Sequence, residues 1–318
     1  MQDPVGGFWA ACSSCGVSSK VLSVHKTATA ASPIGLVAGE AFKHGSPLIT
    51  VPYNSVFNGQ TLRGDTLPRA LPPLQKLVRF LTRRGRMSTV SAHSLWLACF
   101  VACHRQQCSV RHNAEQQQHL QALLSSTVYP PLPSFFSEST KVGCASLRGS
   151  SLAELQAVEK RVQNELELTY LMLRHYATRR GVSPALRPSK DMLVQAHRTV
   201  LQRALLLPWS GEPSAPAELS ELIEASPHLP LLPSLVPVID LIRAAPPDPR
   251  NSDADAAAAD PPRSGGNCAL FTCVQSDFVS PSSRRRVIVE TAPLAARRVV
   301  VCATKALRKG DELLMEFA

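Results

Sequence analysis

Apolar residues in this chain change their spacing twice, and that change limits the fold more than any other feature. Before residue 57 and after residue 269 they come in short runs of strand length. From about residue 73 to residue 206 they recur every three to four positions, as on one face of a helix. The longest periodic stretch runs through Leu152, Leu155, Val158, Val162, Leu166, Thr169, Leu173 and Tyr176. It predicts a helix over 152–180 with one buried stripe. Ser151 and Glu154 offer a capping box at its start. Arg179 and Arg180 suit its C-terminus, Gly181 suits a left-handed cap, and Pro184 follows. Further helices are expected over 73–83, over 92–108 with Leu95, Ala98, Cys99 and Ala102 on one face, and over 189–206 through Met192, Leu193, Ala196, Val200 and Ala204.

The flanks read as strands. Ile34 to Val37 and Leu48 to Val51 are apolar runs separated by a turn at Lys43-His44-Gly45-Ser46-Pro47, and Pro52 closes the second. Strand character returns at Ala269 to Val274, Val287 to Glu290, Val299 to Thr304 and Leu313 to Phe317, with a turn at Lys309-Gly310-Asp311. Tyr129-Pro130-Pro131-Leu132-Pro133 breaks the helical run, and residues 246–266, rich in Pro, Ala and Asp, read as a flexible surface loop. The expected class is α+β, short β-sheets split by a long helical insert. Residues 1–65 and 231–318 are the two β-rich parts and 66–230 the insert.

With 318 residues, 44% of them hydrophobic, the chain can bury a sizeable core. It has no uncharged apolar stretch long enough to span a bilayer. Asp3, and the lack of any Arg before Arg63, argue against a secretory or transit peptide. Nine cysteines, scattered and mostly in apolar runs such as Leu97-Ala98-Cys99-Phe100, read as reduced thiols in an intracellular compartment, the cytoplasm ahead of the mitochondrion or nucleus. Cys12 and Cys15 have metal-ligand spacing, and Cys268 and Cys273 could complete a zinc set; buried or surface thiols account for the same residues. The net charge of +10 is dispersed among short basic clusters without interleaved aromatics. A solvated basic surface and a polyanion site both fit it. His93, His104, His112 and His119 have neither triad nor metal spacing and are expected to face solvent or a polar seam. GxGxxG after a strand, a P-loop, HExxH and GxSxG are all missing, which removes the common nucleotide, zinc-protease and serine-hydrolase readings.

Five short patterns fall in a telling order. They are Gly35-Leu36-Val37-Ala38 with Gly45-Ser46-Pro47-Leu48-Ile49-Thr50-Val51-Pro52; Leu147-Arg148-Gly149-Ser150-Ser151-Leu152; Gln202-Arg203-Ala204; Leu235-Val236-Pro237-Val238-Ile239-Asp240-Leu241-Ile242; and Gly310-Asp311-Glu312-Leu313-Leu314-Met315-Glu316-Phe317. Together they resemble the SET-domain methyltransferases of the RuBisCO large-subunit lysine methyltransferase kind. That resemblance covers the chain from about Phe8 to its last residue and implies a SET-type fold. It implies, too, a cofactor, S-adenosylmethionine, whose methyl group passes in line to a lysine of a protein substrate.

The resemblance also says where the site residues would lie. The main chain of Ile34, Gly35 and Leu36 would approach the cofactor, Arg203 and Asp240 keep the family's residue types, and Arg243 and Phe317 stand at further site positions. Departures are concentrated there. Pro33 replaces the first Gly of a GxG turn, removing an N–H and fixing φ. Arg243 and Ala244 stand where the family has Asn-His for the adenine end, and Phe317 stands where it has the hydroxyl-bearing Tyr. Ala318 replaces the last Gly, and the family's C-terminal substrate-binding helical domain is expected to be missing. Two functions follow as expectations. One is a degenerate SET fold that serves as a binding or scaffold module, docking by its basic surface on an acidic partner or in an RNA–protein assembly. The other is a working methyltransferase with a rearranged pocket in which Arg243 makes a new cofactor contact.

Overall fold

The computed structural model of the chain describes residues 12–14, 16–19, 21–26, 34–62, 67–85, 87–110, 149–208, 231–244, 266–274 and 294–315. Among these, the part before residue 57 forms strands β1 (Ser18–Ser19), β2 (Val21–Lys26), β3 (Ile34–Ala38) and β4 (Pro47–Pro52). Helices α1 (Leu74–Gly85), α2 (Thr89–Val110), α3 (Gly149–Arg179) and α4 (Lys190–Arg203) follow, then β5 (Leu205–Pro208) and β6 (Leu231–Ser234). The last part supplies β7 (Arg243–Ala244), β8 (Cys268–Val274), β9 (Arg297–Ala303) and β10 (Leu314–Met315). This is the α+β order that the spacing of apolar residues predicts. Residues gather into two compact units, one of Met1–Val56, Ser210–Ser214 and Val236–Ala318, the other of Phe57–Trp209 and Ala215–Leu235.

In the first unit a six-stranded sheet runs in the order β1-β4-β9-β8-β10-β7. Its middle is apolar on both faces: Val299, Val300 and Val301 of β9 are all buried, as are Leu48, Ile49 and Val51 of β4. β-Branched runs suit such doubly covered strands. β4 and β8 flank β9 antiparallel, with Val51 opposite Val299 and Leu270 opposite Val301. β10 runs parallel to both β7 and β8. A second ribbon pairs β2 with β3, Val24 opposite Leu36. The turn before β4 is closed by Ser46 N–H to the Lys43 carbonyl at 3.1 Å, with Gly45 at φ +78°, where a side chain would be strained.

The second unit is built around α2. Every described residue from Ala92 to His104 is buried, so this helix is covered on all sides and shows no polar stripe. α1, α3, α4 and β6 all pack against it. The Trp96 indole N–H donates to the Pro72 carbonyl at 3.0 Å, and Phe57 stacks on Phe100 with centroids 6.4 Å apart. β5 and β6 pair antiparallel, and the buried Asn58 amide donates to Ser234 Oγ at 3.0 Å.

α3 ends as its sequence predicts. Gly181 has φ +65°, its N–H donates to the Thr178 carbonyl and that of Val182 to the Ala177 carbonyl, each at 3.0 Å. These two bonds make a Schellman cap. Its start and stripe differ from expectation. The helix already begins at Gly149, which puts Ser151 inside the first turn rather than at the cap. Leu166, Thr169, Leu173 and Ala177 are buried, but Val158 is 56% exposed. Periodicity marks a face; it does not say how far along that face a neighbour extends. Thr169 sits fully buried because its hydroxyl donates to the Glu165 carbonyl at 2.7 Å.

Other corrections have similar causes. The helix expected over 189–206 stops at Arg203, because Leu205–Pro208 pairs with Leu231–Ser234, a partner that local spacing cannot reveal. His93 and His104 are buried in α2 rather than facing solvent, since α2 has no solvent side over that stretch. Burial pushes the His93 pKa down despite a 2.8 Å contact of Nδ1 with the Thr89 carbonyl. His112, His119, the strand expected at 287–290 and the 129–133 break lie outside the described residues, as does the 246–266 loop apart from Gly266. No described helix is long and apolar enough to cross a membrane.

Candidate functional site

The chain brings together segments from its two ends in the first unit. β3 carries Ile34, Gly35 and Leu36, and the segment that leads into β10 pairs with it. The Leu313 N–H donates to the Leu36 carbonyl at 2.8 Å, the Ala38 N–H to the Asp311 carbonyl at 2.8 Å, and the Gly310 N–H to the Ala38 carbonyl at 2.8 Å. The closing segment then slots between β7 and β8. Leu314 lies opposite Arg243, and Met315 opposite both Ala244 and Cys268. β3 also packs against the 3-10 turn Ile239–Leu241, which contains Asp240. Five of the sequence-marked positions, Ile34, Gly35, Leu36, Asp240 and Arg243, therefore lie on main-chain segments that pair or pack with one another or with the closing segment. Phe317 lies outside the described residues.

Arg203 belongs to the second unit, where it is the last residue of α4 and is 7% exposed. The unit that carries β3 and β7 does not contain it.

Two features of this frame escaped the sequence reading, the clamp at Asn267 and the backbone conformation of Val238. Asn267, just before β8, clamps the closing segment: its Nδ2 donates to the Glu312 carbonyl at 2.7 Å and its Oδ1 accepts from the Leu314 N–H at 2.9 Å. Its own N–H donates to the Leu314 carbonyl at 3.0 Å. A lone Asn at the end of a Gly-Gly-Asn stretch was the available signal, and many surface turns share it.

The second is Val238. It has φ 71° and ψ −48° and is fully buried, and among the described residues it is the only non-glycine with positive φ. A β-branched residue is strained in this region, which a side chain enters only when the surroundings force it. Val238 immediately precedes the turn bearing Asp240, and its carbonyl accepts from the Leu241 N–H at 3.1 Å. The strain predicts an inverted ranking of two variants. Val238→Gly should be more stable than Val238→Ala by about 1 kcal/mol, whereas Ala normally exceeds Gly by about that much. Denaturant unfolding of both variants measures this; the usual ranking would mean that the positive φ carries no strain.

Most of the described cysteines are buried. Cys12, Cys99, Cys103 and Cys268 are buried, and the Cys268 thiol donates to the Leu314 carbonyl at 3.1 Å. Burial pushes the Cys99 and Cys103 thiols well above their ordinary range. Cys15 lies outside the described residues, and no group of three or more His, Cys, Asp or Glu among the described residues is placed to hold a metal.

No protein-family profile and no curated protein matches the chain in sequence. Solved structures match it in fold. The SET domain of LSMT bound to lysine and AdoHcy superposes with a TM-score of 0.51 at 14% identity, over 99% of this chain and 54% of that one. Rubisco LSMT bound to AdoMet gives 0.52 at 13% identity, over 100% and 53%. The chain spans about half the length of these structures. Strands from both ends joined around a closing segment, with a helical block between them in sequence, make this a SET-type fold resembling that of Rubisco LSMT.

Proposed function

We propose that this chain is a SET-fold binding module in which the chemistry of lysine methylation has decayed. The observation that carries this reading is a contrast between frame and donors. Over the described residues the main-chain frame is joined in register: the closing segment up to Met315 pairs with both β3 and β7. The positions to which the resemblance assigns cofactor contacts instead hold Pro33, Arg243 and Ala244, with Phe317 in place of the hydroxyl-bearing ring.

This donor set does not fit S-adenosylmethionine held in the family's manner. Ala244 has no ring nitrogen to offer the adenine end, and it lies on β7, the edge strand of the sheet, opposite Met315 of β10. Loss of one preorganised transition-state hydrogen bond costs about 10²–10³ in rate, and here the loss of a hydroxyl is combined with loss of cofactor contacts. Asp240 and Arg203 remain as the surviving residue types, the first within the 3-10 turn Ile239–Leu241 and the second as the last residue of α4. The working partner is a protein, bound through the basic surface. Calorimetric titration with S-adenosylmethionine tests the reading, and no binding at millimolar cofactor is expected.

A further inference from the structure

Between Glu167 and Asp191 the chain carries Arg174, Arg179, Arg180, Arg187 and Lys190 and no acidic residue. Three of these have local work. Arg179 and Arg180 sit at the C-terminal end of α3, where cations are favoured, and Arg180 also lies over the Tyr176 ring at 5.8 Å. Lys190 pairs with Glu167. Arg174 and Arg187 are different, because both line a cleft of about 510 Å³ in the second unit. Gln106, Tyr170 and Ser189 line it too, exposed Pro184 adds apolar surface over buried Leu173 and Ala177, and no carboxylate is among its lining residues.

Arg187 is locked in place. Its Nε and Nη2 donate to the Val182 carbonyl at 2.8 and 2.6 Å, and its Nη1 donates to Thr178 Oγ1 at 2.9 Å. A guanidinium has five N–H donors, so two remain on a fork whose orientation is already fixed. Arg174 is exposed and forms no ion pair among the described residues. A cleft of this volume, with an apolar lining and a few convergent polar groups, has the makings of a recognition site.

We propose that this cleft binds an acidic segment of a partner protein, with carboxylates met by Arg174 and Arg187 and a neighbouring apolar side chain laid against exposed Pro184 and half-buried Tyr170. Cationic lining without a carboxylate selects an anion, and the preorganised Arg187 fork suits the planar carboxylate. The apolar lining favours a peptide over a nucleic acid, since single-stranded nucleic acid needs a row of stacking rings and a longer basic track, and Tyr170 is the one aromatic residue lining the cleft. This inference rests on the binding-module reading and adds the chemistry of the partner.

The test is fluorescence anisotropy with a labelled octapeptide of Glu residues around a central Leu-Phe pair, beside a control with Gln at every Glu. Saturable binding of the acidic peptide alone is expected. It should weaken about tenfold in Arg174→Glu and several-fold in Arg187→Lys, and change less than about twofold in Arg179→Glu, with unchanged circular dichroism throughout. Absence of saturable binding overturns the proposal. So does an equal loss in Arg174→Glu and Arg179→Glu, which would mean a diffuse charged surface only. Tighter binding of an oligouridylate of equal charge, lost in Arg174→Glu, would replace the peptide with a nucleic acid. Titration with S-adenosylmethionine on the same preparation separates the two failures: a silent titration with no peptide binding overturns the cleft alone, whereas cofactor binding overturns the degenerate pocket.

Discussion

Acidification from about pH 7.5 to about pH 5 is expected to strip about 4 kcal/mol from the stability of the folded chain, about 2 kcal/mol from each of two histidines. His104 and His197 are 4% and 6% exposed, and burial first, then the adjacent Arg105 and Arg198, push both pKa values down to about 4. In the unfolded chain each titrates near 6.5. Below that value the unfolded chain takes up protons that the folded chain refuses. Stability is therefore fully present above pH 6.5, falls as the pH drops toward 4, and loses nothing further from these groups below that. His93, also held low by burial, acts in the same direction. The denaturant midpoint measured across this pH range checks the expectation. His104→Gln combined with His197→Gln should remove most of the slope; a midpoint that does not move with pH in the parent chain would refute the buried neutral state of these rings.

Truncating Trp96 is expected to have an effect as large. Its indole is 1% exposed on α2, the helix that is covered on every side, and its N–H donates to the Pro72 carbonyl. Trp96→Ala should cost about 3–5 kcal/mol, the sum of lost burial and an incompletely collapsed cavity. Trp96→Phe separates the two contributions. It keeps most of the apolar volume but leaves the Pro72 carbonyl without its donor, so a cost of about 1–3 kcal/mol is expected. Guanidinium unfolding of both variants measures the difference. A loss below about 1 kcal/mol in Trp96→Ala would contradict the central position of α2.

What could be read from the sequence follows the range of the forces involved. The strand–helix–strand order was legible, as were the turn at Gly45 and the cap at Gly181, because spacing and φ preferences act within a few residues. Leu95, Ala98, Cys99 and Ala102 were marked as one face of α2 and are buried, yet the opposite face is buried too. A helix covered all round needs no polar stripe, so His93 and His104, expected at solvent or a polar seam, are buried instead. The β5–β6 ribbon and the pairing of Leu36 with Leu313 were not legible, since each joins residues far apart in the chain. At the candidate site, apolar patterns marked Ile34–Leu36, Leu235–Ile242 and the closing segment. Asn267 and the backbone conformation of Val238 went unmarked. One acts through hydrogen bonds to a distant strand, the other through a backbone conformation that valine does not advertise.

The proposed loss of cofactor contacts from this SET-type frame is tested most directly by calorimetry with S-adenosylmethionine, the parent chain beside Asp240→Ala. No heat of binding at millimolar cofactor in either protein is the predicted result. Micromolar binding by the parent that disappears in Asp240→Ala would contradict it, and would mean that Arg243 and Ala244 line a pocket that still holds its ligand.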